Sequence, residues 1–444
     1  MVFFCASYLC NVNKLSSTHF CTCNVTLQIT IRIFVLRSVI FFISNHSVSS
    51  FLMGAKTSTA AEKSQFVNLS ADQLRRAEVE FRRCTKTKDL DYDQIVEIYS
   101  ALQPAVPEIY KALQQDGRCS VSNILQLADS VLGDTASQAA SLLKVFGTIQ
   151  KALSGVVSIY AHQHELSTTE SDALVDYFLG DSPSDEERFS RWLLRHSTAS
   201  QLISHVFSPL VFEEGKSLLP STSHSSSLLP HSATMVINMH LPADRRSEWT
   251  LLFSSVLYGS SFSQIVAKIN GEGPCIVVVT SSNGKTFGCF ASAGFLMGPR
   301  YHGDATSFLF EVQPQIRIFS ATGVTNNYAY LNIQQNTMPN GLGIGGSEST
   351  WPFFIYEEYG KGITLPNIRS FEKCHLSGSD TFAISAIEVW RVGEKPRKNS
   401  FEDECIRSEK SIIDKDPQTR ALLEMTGRTI HSDAYREPAP LLDS

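Results

Sequence analysis

Between residues 241 and 392, short apolar runs alternate with turn residues at intervals of roughly ten, the pattern of an antiparallel β protein. The alternation predicts strands over 235–239, 249–254, 275–280, 286–291, 308–312, 316–320, 328–332, 353–356 and 382–392. Asn283-Gly284 between two of them predicts a hairpin through a type I′ turn, which needs positive φ at both central positions. Phe262, Ile265, Val266 and Ile269 recur at helical spacing, so a short amphipathic helix over 261–270 crosses the sheets. Near-continuous apolarity in 275–280 marks a strand covered on both faces, and hence a two-layer core.

Upstream, from 70 to 215, the apolar period changes to that of helices, predicted over 71–84, 92–102, 107–116, 121–132, 137–163, 171–179 and 185–211. Ser70-Ala71-Asp72-Gln73 and Ser184-Asp185-Glu186-Glu187 have the capping-box spacing, a hydroxyl followed three residues on by Gln or Glu. Leu142, Val145, Phe146, Ile149, Leu153 and Val156 form one stripe, which predicts an all-α domain with its own core. The fold class is therefore α+β: a helical domain, then a β-sandwich with short helices. The pairing of short helices resembles a degenerate EF-hand array. Asp89, Asp91 and Asp93 occupy the first three ligand positions of a calcium loop, but Gln94 stands where the loop needs Gly and Ser100 where it needs a bidentate Glu. The acids read instead as the start of a helix, where negative charge complements the dipole.

Composition shifts divide the chain into 1–52, 53–69, the helical domain 70–215, a Ser/Pro-rich linker 216–234, the sheet domain 235–393, and a charged linker with a C-terminal helix in 394–444. The linker reads as flexible, with His224 and His231 as solvated side chains. In the tail, Asp416 as cap, Pro417 at the first position and Gly427 past the end frame a short helix. It presents Ala421, Leu422 and Met425 on one face, with Leu423 alongside. A helix that short is marginal alone, so it docks either on its own protein or in a groove on a partner, and this face is the candidate partner-binding surface. Residues 1–52 contain no Asp or Glu, and their apolar run at 33–43 is interrupted by Arg37 and too short for a membrane span. They read as an extension upstream of a start at Met53, with a signal or transit peptide as the alternative. Met53-Gly54-Ala55-Lys56-Thr57-Ser58 fits the myristoylation pattern, which makes Gly54 the candidate lipidation site. One acyl chain binds membranes only marginally, so a partner or a basic patch such as Arg75, Arg76, Arg82, Arg83, Lys86 and Lys88 must add a second signal.

A net charge of −6 argues against a general nucleic-acid binder. The ten cysteines show no metal-ligand spacing, and neither a metal nor a cofactor is expected. Gly341-x-Gly343-x-x-Gly346 has the dinucleotide-loop spacing without the strand-turn-helix context, so it reads as turn and close-packing glycines. His302 beside Asp304 and Ser307 invites a triad reading, but triad members meet by folding rather than by adjacency. Cys275 and Cys289 sit in apolar strands, where burial makes thiols inert. Glu388 and Trp390 share one face of the last strand, consistent with packing around a satisfied carboxylate.

The ordered runs Trp249–Ser255 (Trp-Thr-Leu-Leu-Phe-Ser-Ser), Tyr-Gly-Ser-Ser-Phe at 258–262, Gly-Pro-Cys-Ile-Val-Val-Val at 273–279 and Phe-Gly-Cys-Phe-Ala-Ser at 287–292 resemble the TLDc domain family. So do Phe-Leu-Phe at 308–310, Thr-Gly at 322–323, Gly-Ile-Gly-Gly at 343–346 and Ile-Glu-Val-Trp at 387–390. Trp351-Pro352-Phe353-Phe354-Ile355-Tyr356 and Ser370-Phe371-Glu372-Lys373 depart from the family's usual wording. The resemblance assigns structural roles to Trp249, Gly259, Gly288, Gly345, Gly346, Glu388 and Trp390. It implies association with the vacuolar-type proton ATPase. A preceding helical region and the tail from Lys410 resemble the mTOR-associated, lysosome-linked branch of that family. That branch implies mTOR as a partner, a location in the cytoplasm and on the cytoplasmic face of the lysosomal membrane, and a non-enzymatic adaptor. The alternative is an oxidation-protective or hydrolytic enzyme.

Overall fold

Most helices of the first part start at a side-chain cap, Val106–Leu113 and Ser197–Phe207 being the exceptions. The computed structural model describes residues 66–85 and 89–395, and its first part is helical: α1 (Ala71–Cys84), α2 (Tyr92–Ile98), α3 (Val106–Leu113), α4 (Val121–Val131), α5 (Thr135–Phe146), α6 (Ile149–Gln163), α7 (Thr168–Leu179), α8 (Glu186–Arg195) and α9 (Ser197–Phe207). Ser70 forms the expected capping box with Gln73: the Gln73 amide donates to Ser70 Oγ at 3.2 Å, and the Ser70 amide donates to Gln73 Oε1 at 2.8 Å. The second expected box does not form. Asp185 rather than Ser184 caps α8, accepting from the Glu187 amide at 3.0 Å, since Asp is as good a cap as Ser.

The long helix expected over 137–163 is two helices meeting at 92°. Gly147 takes φ 84° at the break, and Thr148 caps the next helix. An apolar stripe reports helical period but not a left-handed residue within it. The helix expected over 185–211 breaks similarly at His196 (φ −102°, ψ 70°) and ends in a 3₁₀ turn, Ser208–Val211. Two short strands, β1 (Asp89–Leu90) and β2 (Cys119–Ser120), pair antiparallel between helix-loop-helix units, as paired EF-hand loops do. Asp91 caps α2, accepting from the Gln94 amide at 2.9 Å while Gln94 Oε1 accepts from the Asp91 amide at 3.1 Å.

The second part holds β3 (Ser221–Thr222), α10 (His231–His240), β4 (Glu248–Ser254), α11 (Ser255–Tyr258), α12 (Phe262–Ile269), β5 (Cys275–Ser281), β6 (Thr286–Ala291), β7 (Gly298–His302), β8 (Phe308–Gln313), β9 (Arg317–Ser320), β10 (Ala329–Asn332), β11 (Gly341–Ile344), β12 (Phe353–Tyr356), β13 (Lys361–Ile363) and β14 (Thr381–Val392). The hydrogen-bonded order is β10-β11-β12-β13-β14-β5-β6-β8-β9, with β4 on β14 and β3 on β4. β14 is shared: its start pairs with β13 and its end with β4, and its register against β5 shifts between Ile384 and Ala386. The strands fold into two layers over one core that includes Val277, Leu309, Leu342, Ile355 and Val389, with Phe287 edge-on to Phe353 at 6.2 Å. The β5–β6 hairpin forms at the expected place, but only Gly284 has positive φ (81°). It closes through Gly284 N–H to Ser281 O, 2.9 Å, and Ser281 N–H to Lys285 O, 2.9 Å. The loop is thus a three-residue loop ending in a left-handed glycine rather than a type I′ turn.

The strand expected over 235–239 is a helix, α10. Met235, Val236, Ile237 and Met239 are all buried, because α10 lies between other helices and the sheet. A run buried on every side reads alike as strand or helix, and length alone did not separate them. The far face of the sheet, with Ile276, Val278, Phe290, Phe308, Phe310 and Trp390, joins the same buried cluster as the helices. The helical region therefore has no separate core: the sheet is covered by the sandwich core on one side and by helices on the other. The 216–234 stretch is a docked strap rather than a free linker. β3 runs parallel to β4, Leu229 is buried, and Asn238 Nδ2 donates to Leu218 O at 2.9 Å.

Candidate functional site

Near the end of β14, Glu388 is 3% exposed. Its Oε2 accepts from Ser226 Oγ at 2.6 Å and Trp390 Nε1 at 3.1 Å, and its Oε1 accepts from the Ser227 amide at 2.9 Å and Ser227 Oγ at 2.6 Å. Ser226 Oγ in turn accepts from the Leu228 and Leu229 amides at 3.1 and 2.9 Å. Each carboxylate oxygen takes two donors, so the group acts as a clamp that holds the strap to the sheet and has no lone pair directed at solvent for acid–base work. Trp390 lies beside Trp249, with ring centroids 6.4 Å apart, and Trp249 Nε1 donates to Asn238 Oδ1 on α10 at 3.1 Å. Trp249, Glu388 and Trp390 thus meet at the seam of strap, sheet and helices.

Glycines set the closest approaches. A Cβ on Gly288 would lie 1.9 Å from Val277 O and 2.7 Å from the Phe310 ring; one on Gly346 would lie 2.3 Å from the Trp351 indole. Gly345 combines φ 78° with the Phe371 ring at 2.4 Å, whereas Gly259 has φ 79° and open space around it. The Gly341–Ile344 run is an inner strand, flanked by β10 and β12. Its amides serve the ladders, so this glycine pattern cradles no phosphate.

The remaining chemistry-bearing residues stay apart. Burial pushes the Cys275 and Cys289 thiols up, with the neighbouring Cys275 adding to the effect on Cys289. His302 ends β7, where burial and then Arg300 push its imidazole pKa down. Asp304 accepts from the Thr306 amide at 2.9 Å, while Ser307 Oγ accepts from the Ser292 amide at 3.1 Å and donates to Ser292 Oγ at 3.0 Å. Ser307 is bonded to a serine and not to an imidazole, so His302, Asp304 and Ser307 do not form a triad. No group of three or more metal-ligating side chains occurs among the described residues, and among them no single helix is long and apolar enough to cross a membrane.

The TLDc domain profile matches residues 222–393, a span that begins in the strap and ends just past the clamp strand. Those residues are a TLDc domain. The TLDc domain therefore includes α10 and much of the stretch expected to be linker, and starts earlier than 235. Relatives named MTOR-associated protein MEAK7 are similar over part of their length. The chicken (Gallus gallus) protein is 42% identical over 214 residues, 48% of this chain and 45% of that one. The Xenopus laevis protein is 36% identical over 252 residues, 55% of this chain and 51% of that one, and the human protein is 38% identical over 213 residues. Oxidation resistance protein 1 of Xenopus tropicalis is 28% identical over 181 residues, 40% of this chain and 20% of that one. The chain spans about half the length of the MEAK7 relatives it matches.

Two arrangements at the TLDc seam were not read from sequence. Ser226 and Ser227 looked like linker composition, yet the Leu218-Leu219 and Leu228-Leu229 pairs around them are a docking signal that a solvated linker would not carry. His231 is not a solvated side chain: its Nε2 bonds Tyr160 Oη at 3.0 Å, within a group that includes His164 and His205. Gly54, Ala421, Leu422 and Met425 lie outside the described residues.

Proposed function

We propose that the chain is a non-enzymatic adaptor that supports mTOR signalling and associates with the vacuolar-type proton ATPase through its TLDc domain and C-terminal helix. The observation that carries this reading is the extent of similarity. The Xenopus laevis MEAK7 relative aligns over 252 residues, more than residues 222–393 contain, so the likeness runs beyond the TLDc domain. Similarity to oxidation resistance protein 1 covers 181 residues, about the length of the TLDc domain. The site geometry supports the same reading, because Glu388, Cys289 and Ser307 are occupied or shielded by structural partners. In this reading a myristoylated Gly54 holds the adaptor at the cytoplasmic face of the lysosomal membrane, with a cytoplasmic pool because one acyl chain binds reversibly.

The test is capture of mTOR and proton-ATPase subunits by the full chain and by Leu422→Asp/Met425→Asp, with circular dichroism to check folding. The variant is expected to lose capture by roughly tenfold or more, since two charges on one helix face abolish an apolar contact worth a few kcal/mol. Equal capture by both chains removes the helix from the proposal, and no capture by either removes the adaptor. Mass measurement of the mature amino terminus decides the Gly54 anchor. A turnover that His302→Ala abolishes in a folded protein would replace the adaptor by an enzyme.

A further inference from the structure

The strap leaves the helices after Val211, touches the sheet at Ser221 and returns to the helices at His231. Both of its ends meet one group of imidazoles. His205 on α9 bonds Lys216 O through Nδ1 at 3.0 Å, and its Nε2 faces His164 Nε2 at 3.3 Å, the rings stacked 5.6 Å apart. His164 lies at the end of α6, its ring 4.3 Å from that of Tyr160 and 5.3 Å from that of His231. His231 Nε2 bonds Tyr160 Oη, and its amide donates to Glu170 Oε1 on α7 at 3.0 Å.

The proton count follows from the partners. A bond to a carbonyl oxygen puts hydrogen on His205 Nδ1, which leaves Nε2 bare in the neutral ring, so the facing His164 Nε2 carries the hydrogen between them. One further proton is accommodated on the far nitrogen of His164. A second sets N–H against N–H at 3.3 Å between two cationic rings, and the contact opens. From this geometry we infer that His164, His205 and His231 are a proton-sensitive latch, which holds the strap on the helical domain when the rings are neutral and releases it when they are protonated. The clamp at Glu388 keeps the middle of the strap on the sheet, so release occurs on the helical side.

The charged groups facing the latch are few. Glu170 from α7 faces His231 and favours its cation. Around the outer side of His205 lie Arg76 from α1, paired with Glu213, together with Glu214 and Lys216 of the strap. Burial outweighs them: it pushes His205 and His231 down, and it takes His164 down to about 4 with help from His231 and His205. A lowered imidazole pKa means the closed form prefers neutral rings, while released rings titrate near 6.5. The stabilising effect is thus full above about pH 6.5 and is lost as pH falls from there toward 4.

Hydrogen exchange on the full chain at pH 7.5 and 5.5, corrected for the intrinsic pH dependence of exchange, tests the latch. Peptides covering 212–219 and 230–235 are expected to lose protection by roughly tenfold or more, the effect of about one proton taken up per unit of pH. Val277–Val279 should stay protected. His164→Gln keeps a donor toward His205 without a titrating ring and should flatten that pH dependence, while matching the natural chain at pH 7.5. Protection independent of pH in the natural chain overturns the latch, as does equal loss in the sheet or unchanged pH dependence in His164→Gln. Should His164→Gln not fold, imidazole NMR titration of the natural chain decides: His164 titrating below 6.5 supports the latch, and at or above 6.5 overturns it.

Discussion

Glu388→Ala is expected to destabilise the protein by about 3 kcal/mol or more, and to free the strap before the sheet unfolds. The substitution removes the acceptor for four donors, Ser226 Oγ, Ser227 Oγ, the Ser227 amide and Trp390 Nε1. Trp390 is buried, and its donor left without a partner costs about 1–3 kcal/mol, while Ser226 is half-buried and Ser227 exposed, so solvent recovers part of what the three serine donors lose. Glu388→Gln separates shape from charge. It keeps one oxygen acceptor but turns an amide toward a hydroxyl, so its cost is expected near 1–2 kcal/mol, about that of one charge-assisted bond made neutral. Urea titrations at unchanged slope give the stabilities, and exchange at 221–230 reports the strap. A shift below about 1 kcal/mol for the alanine variant would show that the strap is held by Leu229 and the β3–β4 pairing instead.

This clamp shows how far the sequence could be read. Glu388 and Trp390 are two apart on a strand, so their common face follows from the period of the strand alone. The serines that complete the clamp lie about 160 positions away, and no local rule joins them. What was local was legible: the Ser70–Gln73 box, the amphipathic α12, and strands 286–291 and 353–356. What depended on burial from all sides was not. The 235–239 run has strand-like residues but lies in a helix wedged between layers, and the Ser-rich strap is ordered by partners at Glu388, His205 and Tyr160. The helical domain was legible as helices, but the core it shares with the sheet was not, because the outer faces of Ile276, Val278 and Phe310 could be assigned only once something was known to cover them.

Gly288→Ala carries the other large effect, and it tests whether this position needs glycine for its backbone conformation or for close contact. Gly288 is not at positive φ. It sits in β6 opposite Val278 of β5 and Phe310 of β8, and the Phe310 ring occupies the space its missing side chain leaves. An added Cβ would stand 1.9 Å from Val277 O, a backbone atom that moves only if the β5–β6 ladder opens, and 2.7 Å from Phe310 Cζ. Overpacking in a well-filled core typically costs about 1–3 kcal/mol, and a clash with backbone should exceed that range. Gly259→Ala is the matched control. Nothing lies within 4 Å of its added Cβ, but φ is 79° with ψ 178°, a region open almost only to glycine, so the cost is that of the strained backbone alone, about 1–3 kcal/mol. Thermal unfolding of both variants is expected to leave Gly259→Ala folded with a modestly lower Tm, and to find Gly288→Ala unfolded or insoluble. If the two fall together, the glycine at 288 does not owe its place to the approach of Val277 and Phe310, and the sheet has enough slack at its centre to part by the width of a methyl group.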